Sequence, residues 1–181
     1  MLKLVLVGGG ARSGKTSFAL GRARELGASR LYVATAEIHD EEMRARIERH
    51  RAERPDFATV EEPVDLPGAI DRATVDVVLV DCLTLWLSNL LCADLADAEV
   101  EARFDRLLAA LAARTSHVVV VSNEVGLGIV PDNLLARRFR DHAGRLHQRL
   151  AARADEVWLG AMGMVVRLRP GPLEAFPVLE P

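Results

Sequence analysis

The residues best suited to chemistry stand near the start of the chain. Gly9-Gly10-Ala11-Arg12-Ser13-Gly14-Lys15-Thr16 fits the phosphate-binding pattern G-x-x-x-x-G-K-[ST]. Glycines there let successive backbone N–H groups converge on phosphate oxygens without Cβ crowding. A following helix adds the partial positive charge of its N-terminus. Lys15 offers a point charge to the β- and γ-phosphates, and the Thr16 hydroxyl suits Mg2+. Residue usage points the same way. The chain has 23 Lys+Arg, yet its only lysines are Lys3 and Lys15. A sequence that otherwise uses arginine keeps lysine where a compact ammonium serves best.

Other candidates are further along. Asp81 closes an apolar run, VDVVLV, the place where P-loop enzymes keep an acid for Mg2+. The lesser alternative is the N-cap of a following helix. Glu124 is either a second acid facing the phosphates or an ordinary loop residue. Gly126 and Gly128 suit a loop that moves or approaches a ligand closely. The run Arg137-Arg138-Phe139-Arg140-Asp141 fits an anionic substrate or a solvated helix face. His50 stands among Arg46, Arg49, Arg51 and Arg54. By spacing alone it reads as a solvated residue. Histidine is also a covalent nucleophile in group transfer, and nearby cations favour its neutral form.

The elements that must position these residues follow from the pattern. Leu2–Val7 reads as a buried strand and Thr16–Leu26 as a helix, with Phe18, Ala19, Ala23 and Leu26 on one side. Arg30–Thr35 reads as a second strand. Asp40 suits the N-cap of a helix to about Arg51, in which Met43, Ile47 and His50 share a face. A short strand is expected at Ala58–Glu61, then a short helix to Arg72. Val75–Val80 is a buried strand ending at Asp81. Cys82–Leu91 reads as an apolar helix, and Asp97–Arg114 as an amphipathic one. His117–Val121 is another strand. Asp132 is expected to cap a long helix to about Arg153. Glu156–Leu159 and Val165–Leu168 read as late strands forming a hairpin. Strands alternating with helices predict an α/β fold of P-loop NTPase type: a mainly parallel sheet with helices on both faces. Ligands then belong outside the carboxyl ends of the strands, where the P-loop, Thr35, Asp81 and Glu124 all fall. One domain over 1–169 and an extended tail over 170–181 are expected.

Composition sets the outer limits. A hydrophobic fraction of 50% with 27% charged residues describes a globular chain. A net charge of -3 and 4% aromatics argue against nucleic acid as a partner. Cys82 and Cys92 read as buried free thiols in a reducing cytosol. The first apolar run is too short for a signal peptide, and no stretch reaches membrane-span length. A cytoplasmic protein is expected.

Several stretches taken together resemble a known family. These are GGARSGKT at 9–16, ATAEIHDEEMRARIERHRAERP at 34–55, VDCLTLWLSNLL at 80–91, SNEVGLGIVP at 122–131 and RRFRDHAGRLHQRLA at 137–151. They resemble the bifunctional adenosylcobinamide kinase/adenosylcobinamide-phosphate guanylyltransferase of cobalamin biosynthesis. The resemblance implies two reactions. ATP or GTP phosphorylates adenosylcobinamide; GTP then gives its GMP to that phosphate and releases pyrophosphate. It also implies a guanylylated histidine, matched here by His50. Nucleotide-binding positions carry over to Gly9 through Thr16, to Ala34, Thr35 and Ala36, to Arg51, Ala52, Glu53 and Arg54, and to Glu62 and Thr84. Thr16 and Asp81 stand where Mg2+ is held. A homotrimer is implied. The late helix departs from the family in carrying His147 where Asn is frequent. Two rivals stay open: a simple P-loop small-molecule kinase, and a nucleotide-dependent switch.

Overall fold

The computed structural model describes residues 1–37 and 54–171. The expected Asp40–Arg51 helix, with His50, and the tail from 172 onward lie outside the described residues.

Among the described residues, seven strands form one sheet in the order β3-β2-β4-β5-β1-β6-β7. They are β1 (Leu4–Gly9), β2 (Arg30–Ala34), β3 (Ala58–Glu61), β4 (Val77–Asp81), β5 (His117–Val121), β6 (Glu156–Ala161) and β7 (Met164–Arg169). Neighbours pair in parallel except β6 with β7, which form an antiparallel hairpin. The central strands are Val/Leu-rich on both faces because both faces are covered.

Among the described residues, five helices cover them: α1 (Lys15–Leu26), α2 (Leu66–Asp71), α3 (Leu83–Cys92), α4 (Asp97–Ala113) and α5 (Leu134–Ala151). Strand alternation splits the core in two. Val5, Val7, Leu79, Val119 and Val121 face Ala19, Leu20 and Ala23 of α1. Leu4, Leu6, Val78, Val80, Val118 and Val120 face apolar residues of α2, α3, α4 and α5. On that second side Trp86 is fully buried, and its indole N–H donates to Val64 O at 2.9 Å. Truncating such a side chain to alanine costs about 3–5 kcal/mol.

The differences from the sequence reading have local causes. β1 starts and ends two residues later than expected, because Gly8 and Gly9 pair with Leu159 and Gly160 of β6. The cap of α5 is Asn133 rather than Asp132. Asn133 Oδ1 accepts the Ala136 N–H at 2.8 Å, while the Asp132 carbonyl accepts from the Arg137 guanidinium at 2.7 Å. That helix ends at Ala151, two residues short of Arg153. Cys82 is buried as expected, but Cys92 is exposed at the end of α3.

Candidate active site

The strand ends bring the expected residues to one edge. Gly9 ends β1 with φ 150, and Gly14 caps α1 with φ 87. A Cβ on Gly9 would lie 2.4 Å from the Gly160 carbonyl oxygen and 2.8 Å from Ser13 Oγ. The loop therefore rests directly on β6. Arg12 takes a left-handed φ of 55 at the loop's outer turn, a shape that aims neighbouring N–H groups the same way. Gly10, Ala11, Arg12 and Gly14 are exposed, whereas Ser13 and Lys15 are buried. Lys15 opens α1, and its ammonium donates to Gly10 O at 3.0 Å. Its charge is thus stored against the loop that would receive phosphates.

Asp81 ends β4 beside this loop. The Tyr32 hydroxyl donates to Asp81 Oδ2 at 2.8 Å, and the Thr16 hydroxyl reaches the same oxygen at 3.3 Å. Burial, together with the Asp81 charge, pushes the Tyr32 phenol well above its ordinary value, so it stays a neutral donor. The N-cap of α3 is Cys82, with no side-chain cap bond. The Asp81 carboxylate therefore serves the loop rather than the helix. Thr16 and Asp81 bring two side-chain oxygens together, the donor type that a hard divalent cation takes.

The remaining expected positions divide. Ala34 ends β2, and the Glu62 N–H donates to its carbonyl at 2.8 Å. The Glu62 carboxylate accepts from Val64 N and Asp65 N, at 3.2 Å and 2.8 Å, so it shapes its own loop. Thr35 is fully buried. Its hydroxyl donates to Cys82 O at 2.7 Å and accepts from Cys82 N at 2.8 Å. Ala36, just beyond, is partly exposed. Thr84 is buried and accepts from Asn123 Nδ2 at 2.9 Å. Arg54 is buried with its guanidinium 3.5 Å from the centre of the Tyr32 ring, a desolvated cation–π contact worth about 2 kcal/mol. Arg51, Ala52, Glu53 and His50 lie outside the described residues.

Three participants escaped the sequence reading. Tyr32, the chain's one tyrosine, carries both Asp81 and Arg54. A hydroxyl inside an apolar strand was the available signal. Ser122 and His147 meet at 2.6 Å, Oγ to Nε2, beside Glu124. They are 25 residues apart, and no local spacing reveals such a pair. A surface hollow of about 430 Å3 is lined by residues that include Phe18, Arg22, Glu156, Trp158 and Arg167, none of them from the Gly9–Thr16 loop. It is a groove between α1 and the β6–β7 hairpin.

Comparison with known proteins settles the kinship. The profile of the cobinamide kinase / cobinamide phosphate guanyltransferase family, CobU, matches residues 5–168. The chain belongs to this family. It is accordingly a transferase with both activities, kinase and guanylyltransferase. The bifunctional adenosylcobalamin biosynthesis protein CobU of Salmonella typhimurium is 43% identical over 184 residues, covering 92% of this chain and 99% of that protein. The bifunctional adenosylcobalamin biosynthesis protein CobP of Pseudomonas aeruginosa is 44% identical over 172 residues, covering 93% and 98%. Among solved structures, a prototypical ATPase from the type III secretion system of pathogenic bacteria superposes with a TM-score of 0.52 at 9% identity. That match covers 88% of this chain and 51% of the other. It reflects a shared P-loop NTPase fold alone.

Proposed function

We propose that the chain phosphorylates adenosylcobinamide at the P-loop, with ATP or GTP as donor, and then attaches GMP from GTP by way of a guanylylated His50. The observation that carries the first half is the grouping of Lys15, Thr16 and Asp81 at the rim of the Gly9–Thr16 loop. Phosphoryl transfer needs positioning and charge neutralisation more than covalent help from the protein. The loop N–H groups and Lys15 hold the β- and γ-phosphates in that reading. Lys15 exchanges its Gly10 carbonyl partner for phosphate oxygens. Thr16 and Asp81 fit Mg2+, which when bound neutralises charge on the bridging phosphates. Tyr32 fixes Asp81 from behind, and Arg54 fixes Tyr32.

The second half rests on the family and on the residues around position 50. Arg46, Arg51 and Arg54 flank His50 in sequence. Attack by a neutral imidazole nitrogen on the α-phosphorus forms an N–P bond and expels pyrophosphate. The phosphate oxygen of adenosylcobinamide-phosphate then displaces the imidazole, giving adenosylcobinamide-GDP. A homotrimer working in the cytoplasm is part of this proposal. Among the described residues no helix is long and apolar enough to cross a membrane.

Incubation with α-labelled and with γ-labelled GTP tests the assignment. Acid-labile label from the α-position is expected on the wild type and lost in His50→Ala, while kinase turnover persists. Stable α-label on His50→Ala would move the nucleophile elsewhere, with His39 the next candidate. No α-label on the wild type, with kinase activity intact, would favour a simple kinase.

A further inference from the structure

Glu124 sits where the β5 end meets the P-loop. Its backbone N–H donates to Gly9 O at 3.0 Å, and the preceding Ser122 N–H donates to Val7 O at 3.0 Å. The loop carrying Glu124 is therefore tied to the strand that carries the phosphate-binding glycines. The carboxylate is oriented rather than free. Oε1 accepts the Gly126 N–H at 2.5 Å, and Oε2 faces His147 Nδ1 of α5 at 3.7 Å. His147 is in turn held by Ser122, whose Oγ lies 2.6 Å from Nε2. Ser122 is 1% exposed, which excludes it as a nucleophile toward a bulky substrate. The Glu124 side chain is 31% exposed, so it remains reachable.

Electrostatics fixes the order of this relay. Burial lowers the His147 pKa, against the opposing pull of Glu124, so the ring is neutral near pH 7. A neutral ring beside a carboxylate carries its proton on Nδ1, facing Glu124; Nε2 then accepts from the Ser122 hydroxyl. Oε2 keeps lone pairs free for one more proton. A substrate hydroxyl attacking phosphorus must lose a proton, and a positioned carboxylate is a suitable acceptor.

We propose that Glu124 is the general base of the kinase step, with His147 and Ser122 as the residues that position it. This rests on the kinase reading given above. The adenosylcobinamide hydroxyl oxygen forms a bond to the γ-phosphorus as its O–H bond breaks. The proton passes to Glu124 Oε2. The bond from the γ-phosphorus to the β–γ bridging oxygen breaks, and its electron pair leaves with the nucleoside diphosphate. Guanylyl transfer starts from a phosphate that is already ionised and needs no such base, so the two steps depend on Glu124 differently.

The experiment measures both steps separately. Cobinamide with γ-labelled ATP reports the kinase step; preformed cobinamide phosphate with GTP reports the guanylyl step. Glu124→Gln keeps an oxygen for the Gly126 N–H and is expected to lower kinase kcat by about 100-fold or more. Guanylyl transfer is expected to stay within about threefold of wild type, since no base is withdrawn from it. Among the described residues, the ionisable group at ion-pair distance from this carboxylate is His147; Lys15 and Asp81 border the same loop. His147→Ala is expected to slow the kinase step by about 10-fold through misplacement of the base. His147→Asn is expected to restore much of that loss, because its amide N–H can donate toward Glu124. A Glu124→Gln protein with normal kinase turnover, or one that loses both steps equally, overturns the proposal. A wild type that phosphorylates no cobinamide sinks the kinase reading itself.

Discussion

The Tyr32 hydroxyl and the Asp81 carboxylate are joined at 2.8 Å, across adjacent strands whose ends form the rim of the nucleotide site. The hydroxyl stays protonated over the whole working range, so it always donates and never competes as an anion. Asp81 is thus held with one oxygen toward Thr16. Asp81→Asn is expected to raise the Mg2+ concentration for half-maximal kinase activity by about tenfold or more, because the ion loses a charged ligand. Magnesium titrations of the two proteins, at matched nucleotide, check this. An unchanged midpoint would remove Asp81 from the ion's surroundings.

Lys15→Ala is expected to leave folding intact and to depress kinase kcat/KM by about 1,000-fold, the scale on which a charge at the transferring phosphoryl acts. Its ammonium partner in the described structure is the Gly10 carbonyl, an exposed loop group that water can satisfy. Steady-state kinetics beside thermal unfolding separates the two effects. Normal turnover by a folded variant would exclude the P-loop from the mechanism.

Gly9→Ala should be worse for stability than Lys15→Ala. The added methyl would meet the Gly160 carbonyl at 2.4 Å, and the backbone there has φ 150. Separating β1 from β6 to admit it is expected to cost about 2–4 kcal/mol. Denaturant unfolding reads the loss directly. Gly10→Ala is the control, since a Cβ at Gly10 meets nothing within 4 Å.

Glu156 supplies a pH-dependent term far from the chemistry. Burial alone would raise its pKa, but bonds from Arg22, Lys3 and the Trp158 indole bring it down to about 2. A depressed carboxylate stabilises above its ordinary value of 4.5 and loses that contribution as pH falls toward about 2. Glu156→Gln is therefore expected to destabilise at pH 7 by a few kcal/mol, of order the linkage value. The gap from wild type should narrow as pH drops below 4. Unfolding curves between pH 2 and pH 7, taken on both proteins, test the narrowing.

Much of this arrangement was legible from the residues. Continuous apolar runs gave the central strands β1, β4 and β5, because a parallel sheet buried on both faces must be continuously apolar. The P-loop was legible because its chemistry constrains adjacent positions. By sequence Asp81 suits a metal ligand or a helix cap; the structure makes Cys82 the cap and turns the Asp81 carboxylate to Tyr32 and Thr16. The boundaries of β1 and α5 were missed for a related reason. Gly8 and Gly9 have poor strand propensity and are kept extended by β6. Asn133 outcompetes Asp132 because Arg137 folds back onto the Asp132 carbonyl. The Glu124–His147–Ser122 group was illegible, since it joins a strand end to the middle of a helix.

The contact between Gly9 and Gly160 also sets a timetable for the protein's birth. β1 is made before the other described strands, yet its neighbours in the sheet are β5 and β6. The loop that holds the nucleotide thus has its motif finished within the first sixteen residues and its seat only after residue 160 has been made. Until then β1 is an apolar strand that keeps one edge open even after β5 has been made, the condition in which strands pair with the wrong partner. Nascent chains halted before β6 are accordingly expected to depend on chaperones and to bind no nucleotide, although they carry the whole signature that names the site.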